Sequence, residues 1–169
     1  MKRILLLILV IISISLKAQK YIVVNFAEPS SQNRFKVYNE NGTCYFSCKC
    51  AHGQGGKSTI SKPEFSNKVG SNCSSLGKFK IIGYYSKKGI NYLRLEGMDV
   101  TNSNAFKRGI CIHNSKLVSI WKYVPLFNIP LSNASNGCFA IDSNSMNKLI
   151  FLYKQGKLKY LYAINIMEI

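Results

Sequence analysis

Carboxylates are scarce in this sequence: 7 Asp plus Glu stand against 23 Lys plus Arg in 169 residues, for a formal charge of +16. An excess of that size implies either attraction to polyanions, which salt screens, or a solvated basic surface. No apolar run reaches the roughly 18 residues that a membrane-spanning helix needs. Internal repeats and low-complexity segments are also missing. Histidine occurs only twice, which narrows the search for a general base. What is plentiful excludes a disordered basic tail: 47% of the residues are hydrophobic, with ten Tyr and nine Phe. The length fits one domain with a real core.

The N-terminus reads differently from the rest. Met1-Lys2-Arg3 is a positive n-region, Ile4 to Leu16 is apolar apart from Ser13 and Ser15, and Lys17-Ala18-Gln19 is a plausible cleavage region. This is the pattern of a secretory signal peptide over residues 1–18, followed by one domain over 19–169. No cysteine closely follows the apolar run, which argues against a lipid-anchored form, and no transmembrane segment remains after cleavage. Removing Lys2, Arg3 and Lys17 leaves 20 basic against 7 acidic residues and a charge of +13. An exported basic protein, periplasmic or associated with the cell wall, seldom meets nucleic acid; its polyanions are cell-wall polymers and lipid headgroups. Export also allows Cys44, Cys48, Cys50, Cys73, Cys111 and Cys138 to form bridges, although keeping one reduced for chemistry leaves an odd number.

From Tyr21 onward the sequence predicts short strands and one helix near the end. Ile22, Val24 and Phe26 alternate. Arg34 to Tyr38 and Thr43 to Ala51 flank Asn39-Glu40-Asn41-Gly42, a hairpin signal because Asn-Gly accepts positive φ. A period of two puts Cys44, Phe46, Cys48, Cys50 and His52 on one face. Gly53 to Ser75 reads as a long loop. Strands are expected again at Lys78 to Tyr85, Tyr92 to Glu96, Arg108 to His113, Leu117 to Tyr123 and Leu158 to Ile164. Ser145 is the expected cap of a helix carrying Met146, Leu149, Ile150 and Tyr153, with Gly156 ending it.

A cysteine nucleophile needs a base, a group that orients the base, and backbone donors for the oxyanion. His113 ends the run Gly109-Ile110-Cys111-Ile112-His113, and Ser135-Asn136-Gly137-Cys138 follows at a distance of 25 positions. A glycine before the cysteine lets the backbone bend close to a substrate. The same residues, read blandly, are a packed cysteine and a structural histidine. Cys48, Cys50 and His52 invite a zinc reading, but the usual paired spacing and a fourth ligand are missing, so no metal site is assigned. Arg94 and Arg108 suit bidentate binding of carboxylates, or pairing with Glu96 and Asp99.

These segments resemble the exported L,D-transpeptidases of bacterial cell walls, and specifically the murein L,D-transpeptidase catalytic-domain family. The broad signature is a His followed some two dozen residues later by Ser-His-Gly-Cys, which Ser135-Asn136-Gly137-Cys138 matches at three of four places. The resemblance extends through Pro29-Ser30-Ser31, Arg34-Phe35-Lys36-Val37-Tyr38, Ala51-His52-Gly53, Phe65-Ser66-Asn67, Ser74-Ser75-Leu76-Gly77, Tyr92-Leu93-Arg94-Leu95-Glu96-Gly97 and Asn104-Ala105 with Arg108. It implies a mainly β fold, a sandwich or barrel core with one substantial helix near the C-terminus.

It also implies chemistry. Cys138 would be the acyl-accepting nucleophile and His113 its base, held by a backbone carbonyl of Asn114 or Ser115, with the N–H of Gly137 or Cys138 serving the oxyanion. Ser135, Asn136, Arg94, Arg108 and His52 are the expected substrate-binding residues. The cysteine would attack the carbonyl between residues three and four of a peptidoglycan stem peptide, D-alanine would leave, and the amine of a neighbouring stem would resolve the thioester. The thioester conserves the bond energy, so no cofactor is needed. Two departures stand out: Asn136 replaces the histidine of the broad signature, and Phe139-Ala140 follows Cys138 where an apolar residue and arginine are usual. The rival readings are an L,D-carboxypeptidase, in which water resolves the thioester, and a non-catalytic basic wall-binding protein with the same fold.

Overall fold

A computed structural model describes residues 19–120 and 135–167. The expected signal peptide lies outside the described residues. The elements in chain order are β1 (Lys20–Asn25), β2 (Phe35–Asn39), β3 (Cys44–Cys48), β4 (Gly77–Lys87), β5 (Ile90–Gly97), a 3-10 turn (Val100–Asn102), β6 (Cys111–Asn114), α1 (Lys116–Ile120), β7 (Phe139–Ile141), α2 (Ser143–Lys154) and β8 (Leu158–Ile164). The eight strands form one sheet in the order β3-β2-β1-β8-β4-β5-β6-β7. β1 with β8 and β6 with β7 run parallel, and the other neighbours are antiparallel.

The edges of this sheet curl towards each other. Just beyond β3, Ala51 forms a bridge with Ala140 of β7, its N–H donating to the Ala140 carbonyl at 2.8 Å. Gly53 and Ser135 add a second bridge beside it. The result is a nearly closed, barrel-like sheet whose seam runs between the two edge strands, with those edge groups paired rather than left open.

Alternation along the strands fills the interior. Ile22 and Val24, Phe35 and Val37, Leu93 and Leu95, and Phe139 and Ile141 are buried, and α2 adds Met146 and Leu149 to the same core. The Asn39 to Gly42 hairpin forms as its sequence predicts: Gly42 has φ +80°, and its N–H reaches the Asn39 carbonyl at 2.9 Å. The expected single face of β3 is only partly kept. A register irregularity in the β2–β3 pairing accompanies a Cys44 that is exposed, whereas Cys48, Cys50 and His52 are buried.

Two further expectations are corrected. The helix α2 begins two residues before Ser145, because Asp142 is the cap: its carboxylate accepts from the Ser145 N–H at 3.0 Å and from the Ser145 hydroxyl at 2.6 Å. Residues 117–120 of the expected strand Leu117 to Tyr123 lie in the helical turn α1, and the remainder lies outside the described residues. β6 already has β5 on one side and β7 on the other, so a strand directly after it could not pair beside it. A short apolar run fits either element, and here Val118 buries against Ala51 and Ala140 instead. Among the described residues no helix is long and apolar enough to cross a membrane.

Candidate active site

The parallel register of β6 and β7 sets the geometry. Ile112 lies opposite Phe139 and His113 opposite Ala140, so Cys138, one residue before Phe139, falls beside Cys111. With side chains alternating, His113 and Cys138 share a face. Tyr92 of β5 stands across from His113 on its other side, the two rings 5.7 Å apart. A cleft of about 700 Å³ opens here, and His113, Asn114, Ser135, Asn136 and Cys138 line it.

The hydrogen bonding of His113 decides its tautomer. Nδ1 lies 3.1 Å from the Asn114 carbonyl oxygen, and a carbonyl can only accept, so Nδ1 carries the proton and Nε2 keeps a lone pair with no partner among the described residues. Burial lowers the imidazole pKa below its ordinary value, and the bond to Asn114 offsets part of that shift. The Asn114 side chain is committed elsewhere, accepting from the Asn91 N–H at 2.7 Å.

Cys138 is half-buried, with Sγ 3.8 Å from the Gly109 carbonyl oxygen. Burial pushes its thiol up to about 11; a hydrogen bond from the Cys111 main chain and the charge of Arg108 pull the other way. His113 and Cys138 share the cleft without a direct hydrogen bond to one another among the described residues. Such pairs are often loose before substrate binds.

The turn before the cysteine requires its glycine. Gly137 has φ +109°, and a Cβ there would lie 2.6 Å from the Cys73 carbonyl oxygen and 2.8 Å from Arg108 Nη2. The Gly137 N–H donates to Ser135 Oγ at 3.3 Å, and that hydroxyl donates to the Cys138 carbonyl at 2.7 Å. Ser135 therefore braces the turn, and the Gly137 N–H is spent inside it. Asn136 is exposed at the cleft and accepts from Gln54 Nε2 at 3.0 Å.

A family model for the L,D-transpeptidase catalytic domain matches residues 11–162. The chain belongs to this L,D-transpeptidase family. No curated protein matches it. Among solved structures it is similar to the L,D-transpeptidase from Xylanimonas cellulosilytica DSM 15894, at 13% identity and a TM-score of 0.43. That comparison covers 88% of this chain and 62% of the other, so the chain spans less than two thirds of that structure.

Of the remaining residues expected to bind substrate in this L,D-transpeptidase domain, Arg94 and His52 are placed apart from the cleft, whereas Arg108 lies against the Gly137 turn, near enough for its charge to act on Cys138. Arg94 lies in a separate groove of about 620 Å³ with Tyr85 and Phe106, its guanidinium 5.2 Å from the Phe106 ring. The stacked Tyr85 and Tyr92 rings, 4.7 Å apart, stand between that groove and His113. Among the described residues Arg94 forms no ion pair with Glu96 or Asp99. Arg108 spends its guanidinium on the long loop, donating to the Ser66 carbonyl at 2.8 Å and to that of Cys73.

His52 needs a correction. It is 0% exposed, with Nε2 3.0 Å from the Thr59 carbonyl oxygen and Nδ1 2.9 Å from Arg34 Nη2. The carbonyl requires a proton on Nε2, so Nδ1 accepts from Arg34; both nitrogens are occupied, and no substrate can reach the ring. Burial, then the Arg34 charge, lower its pKa to about 4. Its partner Arg34 is not among the residues expected to act. It is also 0% exposed and donates to the carbonyls of Cys50, Glu28 and Ser61 at 2.8–3.1 Å. Burial lowers its pKa to about 10, which leaves it charged at neutral pH. Only its place in the matched segment Arg34-Phe35-Lys36-Val37-Tyr38 hinted at a role; nothing in its local pattern marks an arginine for burial.

Proposed function

We propose that this chain is an exported cysteine acyltransferase acting on peptidoglycan stem peptides, with Cys138 as nucleophile and His113 as base. The observation that carries this reading is the tautomer: Nδ1–H is fixed on the Asn114 carbonyl, which leaves Nε2 unprotonated on a ring that lines the same cleft as Cys138. Burial favours the neutral form of both groups, so the resting pair is thiol and imidazole rather than an ion pair. A general base is then required. On substrate arrival His113 Nε2 takes the Sγ proton as sulfur attacks the carbonyl between the third and fourth residues of the stem. The tetrahedral oxyanion collapses, and the imidazolium returns the proton to the departing D-alanine amine. A second stem's amine attacks the thioester and loses its proton to the same nitrogen. The Cys138 N–H is the oxyanion donor that best fits this scheme, since Ser135 occupies that of Gly137. Anionic wall polymers, attracted by the +13 of the mature chain, would concentrate the protein on its substrate.

The test is the intact mass of the purified mature protein after incubation with a carbapenem under reducing conditions. A covalent adduct that disappears in Cys138→Ala supports the reading, and an unmodified wild type favours the wall-binding protein. Digests of treated sacculi then separate the two reactions. New muropeptide dimers indicate transpeptidation, whereas tripeptides without dimers indicate the carboxypeptidase.

A further inference from the structure

The acylation scheme leaves one nearby thiol unused. Cys111 is 2% exposed and begins β6, and the β6–β7 register, continued by one residue, sets it opposite Cys138. Adjacent strands run about 4.8 Å apart, inside the Cα separation that a disulfide tolerates. The sulfurs also converge: Cys111 Sγ lies 3.3 Å and Cys138 Sγ 3.8 Å from the same Gly109 carbonyl oxygen, which puts them at most about 7 Å apart. Side-chain rotation at one or both residues can close that gap without moving the strands. The other thiols face elsewhere. Cys73 donates to its own loop at the Ser71 carbonyl, Cys50 to the Ala51 carbonyl, Cys48 sits beside Ser145, and Cys44 is exposed on the edge strand.

We propose that Cys111 is a resolving thiol for Cys138, so that oxidation of the nucleophile by a hydroperoxide ends in a reversible Cys111–Cys138 disulfide. In the first step the Cys138 thiol gives up its proton, which ends on the departing hydroxide, and the sulfur attacks one peroxide oxygen. An S–O bond forms, the O–O bond breaks, hydroxide leaves as water after protonation, and sulfur is oxidised to sulfenic acid. In the second step the Cys111 sulfur attacks the Cys138 sulfur. The S–O bond breaks, and the hydroxyl leaves with the Cys111 proton as water. The cleft admits the oxidant to half-buried Cys138, while Cys111 waits behind it. An exported thiol exposed to oxidants is thereby stored in a form that a dithiol reductant restores, instead of advancing to sulfinic acid. The regulatory consequence rests on Cys138 being the nucleophile; the disulfide itself does not.

The experiment treats the reduced mature protein with stoichiometric hydrogen peroxide and maps its peptides without reduction. The expected product is a cross-link between the Cys111 and Cys138 peptides with loss of two hydrogens. The carbapenem adduct should vanish on oxidation and return after dithiothreitol. Cys111→Ala should form the adduct normally when reduced, yet after a several-fold excess of peroxide, which supplies the second oxidising equivalent, carry Cys138 sulfinic acid that dithiothreitol does not reverse. Pairing of Cys138 with Cys73 or any other cysteine would overturn the proposal, as would equal amounts of sulfinic acid in wild type and Cys111→Ala. The mapping of wild type needs neither activity nor a variant. A reduced protein that forms the disulfide but no carbapenem adduct would sink the acyltransferase reading and leave the resolving thiol standing.

Discussion

The two histidines stand on opposite sides of one residue. Ala140 is bridged to Ala51, the neighbour of His52, on one side and is in register with His113 on the other. Burial depresses both imidazoles. They differ in how many ring nitrogens the protein uses. His52 receives from Arg34 and donates to Thr59, so it ties β2 to the long loop and has nothing left to offer. Among the described residues His113 is held through Nδ1 alone, and its ring lines a cleft. In the proposed mechanism the two histidines are told apart by the ring nitrogen left over, not by the direction of their pKa shifts.

The largest effect should come from separating the two directly. His113→Ala is expected to slow carbapenem acylation by about 10²–10⁴-fold, the usual worth of a positioned general base. His52→Gln keeps one donor and one acceptor, and should stay within a few-fold of wild type. Stopped-flow acylation kinetics on both variants check this, and an equal loss in folded His52→Gln would break the distinction.

Next in size is the support behind His52. Arg34→Met strands the carbonyls of Cys50, Glu28 and Ser61 and removes the donor to His52 Nδ1. The expected cost is about 3–5 kcal/mol, or a fall in Tm on the order of 10 °C by calorimetry. Thiol and imidazole in the cleft are not among its contacts, so acylation measured well below Tm should persist.

This contrast also explains what could be read from the sequence. Alternation at Ile22 and Val24, the Asn-Gly turn and the helical spacing of Met146 and Leu149 are local patterns, and the structure keeps them. That His113 and Cys138 line one cleft is not a local pattern; the expectation that they meet comes only from the resemblance, which carries both residues in one frame. His52 and Arg34 lay in matched segments too, yet their burial depends on carbonyls from Glu28, Thr59 and Ser61, which no pattern of side chains encodes. Residues 117–120, the described part of another expected strand, are helical for a similar reason, since whether an apolar run pairs depends on whether an edge is free.

A smaller effect separates the histidines by pH. The folded pKa of His52 is lowered to about 4 from an ordinary 6.5, so the unfolded chain binds the proton more readily. Its stabilisation is complete above about pH 6.5 and is lost as pH falls towards 4, amounting to roughly 2–3 kcal/mol. Urea titrations at a series of pH values should show that loss in wild type and a flatter dependence in His52→Gln. The depressed His113 imidazole has a kinetic signature instead: the acid limb of acylation should lie below about pH 6.5. A limb above that value would mean that His113 gains a partner for its charged form when substrate binds.

The smallest expected effect concerns the contact that joins the two regions. Gln54, two residues past His52, donates across the seam to Asn136 at 3.0 Å, and Asn136 lines the cleft of His113. The pair is exposed, so each single alanine variant should cost under about 1 kcal/mol of stability. Its kinetic role can be read from a double-mutant cycle. If Gln54 acts by positioning Asn136, then Gln54→Ala and Asn136→Ala should slow acylation by similar factors, each below about tenfold, and the double variant should be no slower than either. Multiplicative losses would mean that Asn136 acts without its partner. In that case the cleft gains no positioning from the packed side of the seam beyond the Ala51–Ala140 and Gly53–Ser135 bridges.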